Sequence, residues 1–175
     1  MLGNILHGLW FILPAYFANS IAIDVTVLPF LKRLSAPVDF GKSLRGRRLL
    51  GDGKTWRGLF SGVLGGTFVG FLMSYYQPAA IGFAPMTVKL AFLLSLGAML
   101  GDMTASAIKR QSRFERGSAI PFLDQLDYIF GAFFLAWTVV PVDISLFLTV
   151  CVVTLPLHVF ANIVAWALKI KSVPW

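Results

Sequence analysis

Residues Gly101–Asp127 read GDMTASAIKRQSRFERGSAIPFLDQLD, and the rest of the chain is understood outward from this stretch. It begins inside one strongly apolar segment and ends inside the next. It holds four of the chain's eight acids and four of its fifteen bases. A carboxylate at membrane depth is costly, so Asp102, Asp124 and Asp127 are functional candidates by default. Three aspartates flanking a basic connector point to a divalent cation and a polyphosphate held at a membrane surface.

The apolar segments on either side set the fold class. The 175-residue chain is 57% hydrophobic and 13% charged, whereas a soluble domain carries roughly 25% charged residues. With its long apolar runs this is an all-α integral membrane protein, a single transmembrane domain over residues 1–175. Five spans are expected, at about Gly3–Leu31, Gly58–Tyr76, Thr87–Ile108, Leu126–Val140 and Ile144–Ile170. The fourth is short for the roughly 20 residues that cross the hydrocarbon. The N-terminal run has no basic leader and continues beyond a signal-peptide core, so it is expected to remain as the first span.

Charge sets the expected orientation. Of the fifteen bases, eight lie between Lys32 and Arg57, four between Lys109 and Arg116, and Lys169 and Lys171 close the chain. Only Lys89 falls on the opposite side of a five-span bundle. The positive-inside rule then places cytoplasmic loops at about 32–57 and 109–125, with the N-terminus outside. The net charge of +7 therefore faces anionic headgroups, an anionic substrate, or both, and not nucleic acid. Membrane lipids are the surrounding partner. The single cysteine, Cys151, excludes an intramolecular disulfide and reads as a small buried hydrophobe. His7 and His158 stand in separate spans without clustered partners, and the five tryptophans fit interfacial or packing places.

Spacing then defines the candidate site. Asp102, Ser106, Lys109 and Arg110 stand at offsets of zero, four, seven and eight, which share one helix face. Asp124 and Asp127 are three apart at the start of the fourth span. Hard cations such as Mg²⁺ take oxygen ligands and keep waters and substrate phosphates. A bland alternative makes Asp124 the cap of its helix and Asp127 a partner of the N-terminal dipole. Gly58, Gly62, Gly66 and Gly70 form a four-residue stripe that Gly97 and Gly101 repeat, as close helix packing requires.

The first loop reads DFGKSLRGRRLLGDGKTWRG, Asp39 to Gly58. Only the GKT of Gly53–Thr55 resembles a P-loop. Arg48 stands where that motif needs its first glycine, and no strand precedes it. Phosphate still suits this loop: its glycines expose backbone N–H groups, and Lys54, Thr55 and Arg57 supply donors. Gly51, Asp52, Gly53, Lys54, Thr55, Arg57 and Ser106 are the candidate nucleotide or phosphate contacts. A small transporter or channel for an anionic solute is the rival, but no internal repeat or polar path across the spans is visible.

Taken together, Gly101-Asp102, Ser106, Lys109-Arg110, Pro121 and the Asp124/Asp127 pair resemble the signature of the CDP-diglyceride synthase family. Glu115-Arg116 replaces that family's central Lys-Asp, and its Gly-His-Gly-Gly insert is absent between Pro121 and Asp124. The short PFLDQLD form, with the first loop, closely resembles the archaeal branch, the CDP-archaeol synthases, over about Pro29–Gly131. This resemblance implies a Mg²⁺-dependent reaction of CTP with an isoprenoid-ether lipid phosphate, giving the CDP-lipid and pyrophosphate. It implies catalytic roles for Asp102, Lys109, Arg110, Asp124 and Asp127, with the three aspartates as metal ligands.

Overall fold

The computed structural model describes residues 2–24, 35–44, 46–76, 85–112, 122–167 and 169. The far end of the expected first span lies outside them. So do Pro121 and Glu115-Arg116 of the motif, and Lys32, Arg33, Arg45, Arg113 and Lys171 of the charge argument.

The described residues form five α-helices and one two-stranded ribbon. They are α1 (Leu2–Asp24), β1 (Ser43–Leu44), β2 (Arg47–Arg48), α2 (Trp56–Tyr75), α3 (Val88–Gln111), α4 (Leu123–Ala136) and α5 (Ile144–Ala167). Threonine hydroxyls start two of the helices: Thr55 accepts from Gly58 N–H and Thr87 from Leu90 N–H. Windows in α1, α2, α3 and α5 are long and apolar enough to cross a membrane. At 14 residues, α4 rises only about 21 Å, less than a hydrocarbon core of about 30 Å. Helix α3 runs three residues past its expected end and so carries Lys109 and Arg110. Helix α4 starts three residues early, so Asp124 and Asp127 are both helical.

The bundle is held by close backbone approach and a shared apolar core. Phe11, Ile12, Leu90, Leu94, Ile129 and Phe133 are fully buried where α1, α3 and α4 meet. Tyr16 of α1 reaches Thr154 of α5 at 2.7 Å. Large side chains on the outer faces, such as Leu64 and Phe68 of α2 and Phe134 of α4, are exposed, as lipid-facing residues are. The glycine stripe packs as expected. A methyl group at Gly62 would sit 2.7 Å from both the Ala18 carbonyl oxygen and Met99 Sδ. One at Gly66 would strike the Pro14 carbonyl, and one at Gly70 the Ala91 side chain.

A second glycine lock joins α3 to α4. Gly97 and Gly131 each face the other's carbonyl oxygen, and Gly101 faces that of Asp127, with no room for a Cβ. Gly131→Ala is therefore expected to force the two helices apart, at about 1–3 kcal/mol. Thermal unfolding in detergent measures this against Gly3→Ala, whose added methyl meets nothing within 4 Å. Equal melting temperatures for the two variants would contradict the lock.

Candidate active site

The site is built from the first loop, the end of α3 and the start of α4. The loop closes on itself first. Val38 N–H donates to the Lys54 carbonyl (2.8 Å) and Trp56 N–H to that of Ala36 (3.1 Å). Between these ends β1 and β2 pair antiparallel around Gly46, whose φ of +76° suits glycine. At the centre lies Asp39, its side chain only 2% exposed. Its carboxylate accepts from the N–H groups of Gly41 (3.0 Å), Leu50 (3.0 Å) and Gly51 (3.2 Å). It also accepts from Arg48 Nη2 (2.9 Å) and Nε (3.4 Å). Burial alone would raise its pKa, but the bonds from Arg48 and the three amides outweigh that and hold it well below the usual carboxylate range.

Asp39 is the residue that sequence reasoning missed. The available signal was an aspartate two residues before a glycine, the pattern in which a side-chain oxygen closes a turn. Asp52, a candidate phosphate contact, lies on the outer side of the loop. It pairs with Arg48 Nη1 at 2.7 Å, is 57% exposed, and does not line the cavity beneath the loop.

The closed loop docks on α3 at three points. Lys54 Nζ lies 2.5 Å from Asp102 Oδ2, joining residues 48 apart in sequence. The Arg110 guanidinium lies over Gly51, where a Cβ would sit 3.4 Å from Nε. Gln111 donates to the Arg48 carbonyl at 3.5 Å. Across the site, Lys109 Nζ meets Asp124 Oδ1 at 2.6 Å, tying the end of α3 to the first turn of α4. Asp124 is thus not the helix cap. Phe122 holds that position at φ +65° without a side-chain cap bond.

Asp127 faces α3 one turn further in. Its Oδ1 accepts from Tyr128 N–H at 2.6 Å, and Asp102 and Asp124 lie close enough to act on it electrostatically. The close backbone approach of Gly101 to Asp127 brings the turns that carry these acids together. Among the described residues no three acids converge as a ready metal cluster. Thr55 serves as the α2 cap and also lines the cavity with Gly53 and Lys54. Arg57 lies in the first turn of α2, half-buried, and Ser106 lies one turn beyond Asp102 on α3. Neither lines the two cavities described next.

Two spaces meet at these acids. A cavity of about 300 Å³ lies beneath the loop, lined by Asn19, Lys54, Leu59, Met99, Asp102 and Met103 among others. On the other side of α3 a groove of about 640 Å³ runs between α3 and α4, walled by Leu100, Ile108, Phe130, Phe134 and Phe147. Among the described residues Asp127 is the one ionisable residue in that groove. The arrangement sets a charged chamber beside an apolar channel, with the Asp102–Asp127 couple at the seam.

Comparison with known proteins identifies relatives of the whole chain. A family model described as CarS-like, CDP-archaeol synthase, matches residues 1–175. The CDP-archaeol synthase of Pyrococcus horikoshii is 41% identical over 175 residues, covering 99% of both chains. That of Sulfolobus acidocaldarius is 44% identical over 179 residues, covering 98% of this chain and 99% of its own. A solved structure described as an intramembrane enzyme for archaeal membrane lipids biosynthesis superposes with a TM-score of 0.75. It is 35% identical, over 91% of this chain and 94% of its own.

Proposed function

The chain belongs to the CDP-archaeol synthase family, and on that premise we propose how its two loops carry out the reaction. The protein is a membrane cytidylyltransferase of archaeal lipid synthesis, a CTP-dependent nucleotidyltransferase acting on a lipid phosphate. The observation that carries the mechanism is the 2.5 Å contact between Lys54 of the first loop and Asp102 of α3. It places the phosphate-suited loop over the acids of the second motif.

In our reading CTP enters the charged chamber with its triphosphate between the loop and the α3–α4 acids. Lys54, with the amides of Gly53 and Thr55, closes over the phosphates, and Arg57 adds charge at the start of α2. Lys109 and Arg110 stabilise charge on the leaving pyrophosphate or on the lipid phosphate. The isoprenoid chains lie in the α3–α4 groove, whose apolar walls suit them and whose lining includes Asp127. A lipid phosphate oxygen then attacks the α-phosphorus in line, forming the new P–O bond as the bond to pyrophosphate breaks. That phosphate is already ionised at neutral pH, so no general base is needed, in keeping with two histidines held in α1 and α5. Positioning and charge neutralisation carry the rate.

The donor set suits Mg²⁺. Asp102 and Asp127 are half-buried carboxylates on facing turns of α3 and α4, near enough to oppose each other's charge, an arrangement that a divalent cation relieves. Asp124 is the third oxygen donor. Mg²⁺ is usually held by one or two carboxylates with waters and substrate phosphates, so a ready three-acid cluster is not required. Bound there, the ion would neutralise triphosphate charge and polarise the α-phosphoryl group.

We further assign five spans with the N-terminus outside and the site facing the cytoplasm. The basic residues of the first loop and of the end of α3 support this orientation. Although short, α4 is flanked by the Trp137–Val140 turn and leans on α3 for most of its cover. A reporter fused at Met1 and found in the cytoplasm would overturn the orientation.

The reaction is tested by supplying folded protein with labelled CTP, a geranylgeranyl-ether glycerol phosphate and Mg²⁺. CDP-lipid and pyrophosphate are expected in equal amounts, and a chelator is expected to abolish both. Undiminished turnover under chelation would remove the metal from the mechanism. Binding of CTP without pyrophosphate release would remove the enzyme reading.

A further inference from the structure

The chamber beneath the first loop has one feature that phosphate chemistry leaves unused. Asn19 is a polar residue in the last third of the apolar helix α1, five residues before its end. Its side chain lines the same cavity as Lys54 and Asp102. Among the described residues its amide makes no hydrogen bond, although Thr67, Ser95 and Thr104 of the neighbouring helices all bond back to carbonyls of their own helices. An amide at membrane depth without a partner is costly, so a partner is to be expected from what fills the cavity.

The other walls tell what that partner is. Leu59, Met99 and Met103 are apolar, and two of them carry adaptable thioethers suited to a flat ring. One turn deeper, Gly62 packs closely on Ala18 and Met99, which closes the chamber below. A space of about 300 Å³ is at the small end of ligand pockets. Its mouth carries Lys54 and Asp102, so a ligand reaching Asn19 has its other end among the phosphate and metal groups. The geometry points to Asn19 as the residue that holds the pyrimidine edge of CTP. The amide offers a donor and an acceptor side by side. Cytosine offers the matching pair, its exocyclic amine and its ring N3. An amide can turn over, so Asn19 places the base without alone separating cytosine from uracil.

This inference rests on the reaction proposed above, and its test separates the two. Asn19→Leu conserves volume and removes both hydrogen-bonding groups, while Asn19→Asp keeps the acceptor and loses the donor. Steady-state rates are measured with CTP varied at saturating lipid phosphate, and inorganic tripolyphosphate serves as a competing probe of the phosphate contacts. In Asn19→Leu the KM for CTP is expected to rise roughly tenfold, as loss of a buried hydrogen-bonded contact predicts. Asn19→Asp is expected to fall between it and the parent. The change belongs in KM and not kcat, because the base is remote from the reacting phosphorus. Inhibition by tripolyphosphate should be the same in all three proteins. A parental KM in both variants overturns the assignment, as does equal weakening of CTP and tripolyphosphate, which marks a structural effect. If Asn19→Leu does not fold, a parental KM in Asn19→Asp is enough to overturn it. Absence of turnover in the parent protein would instead refute the proposed reaction.

Discussion

Asp102→Asn is expected to lower kcat/KM for CDP-lipid formation by about 10²–10³-fold, the usual loss when a group stabilising transition-state charge is removed. Two roles meet in this carboxylate. It orients the Lys54 ammonium at 2.5 Å, and it forms with Asp127 the like-charge couple at the seam between chamber and groove. The asparagine keeps size and shape, so the α3–α4 glycine lock is undisturbed. A partly exposed ion pair contributes about 1 kcal/mol or less to stability, so folding should survive. Asp127→Asn should show a loss of similar size with Lys54 still in place. Rates are measured on protein whose melting temperature is close to that of the parent. Parental activity in either variant would remove that aspartate from the metal and phosphate chemistry.

Asp39→Ala should be nearly as damaging, for a different reason. Its carboxylate gathers three backbone N–H groups and the Arg48 guanidinium inside the first loop. Each buried donor left without an acceptor costs about 1–3 kcal/mol, more than a short loop with a four-residue ribbon can absorb. The loop should open while the helices stay folded. The KM for CTP is then expected to rise by at least about tenfold, with new protease cleavage confined to residues 39–55. Unchanged cleavage and an unchanged KM would show that the ribbon holds the loop alone. The pH response has a definite sign. The folded-state pKa of Asp39 is depressed, so its contribution is fully present above the ordinary carboxylate pKa of about 3.9. It is lost only as pH falls through the lower folded value. Protease protection of the loop should therefore be constant from about pH 8 to pH 4, so far as Asp39 governs it.

The aspartates could be found in the sequence because a charge inside an apolar run stands out against its neighbours. Helix periodicity then put Asp102, Lys109 and Arg110 on one face; Asp102 and Arg110 meet the first loop, while Lys109 turns to Asp124 of α4. The glycine stripe of α2 was equally legible, since four-residue spacing has one geometric meaning on a helix. Asp39 and Asp52 were not separable in this way. Both are aspartates in one glycine-rich loop, and only the folded loop decides which is buried under five hydrogen bonds and which lies outside on Arg48. Asp124 seemed able to cap its helix, but α4 begins one residue before it, and its carboxylate is instead turned to Lys109.

Membrane class, the five helices of the described residues and, through the resemblance of its motifs, the family and its reaction followed from the sequence alone. Hydropathy, charge spacing and periodicity act over a few residues, and the chain order preserves them. The pairing of Lys54 with Asp102, the meeting of Asp102 with Asp127, and the division between a charged chamber with Asn19 at its wall and an apolar groove were decided only by the tertiary structure. They depend on how closely α3 approaches α1, α2 and α4. That distance is set by glycines on separate helices, whose fit exists only once the helices are packed.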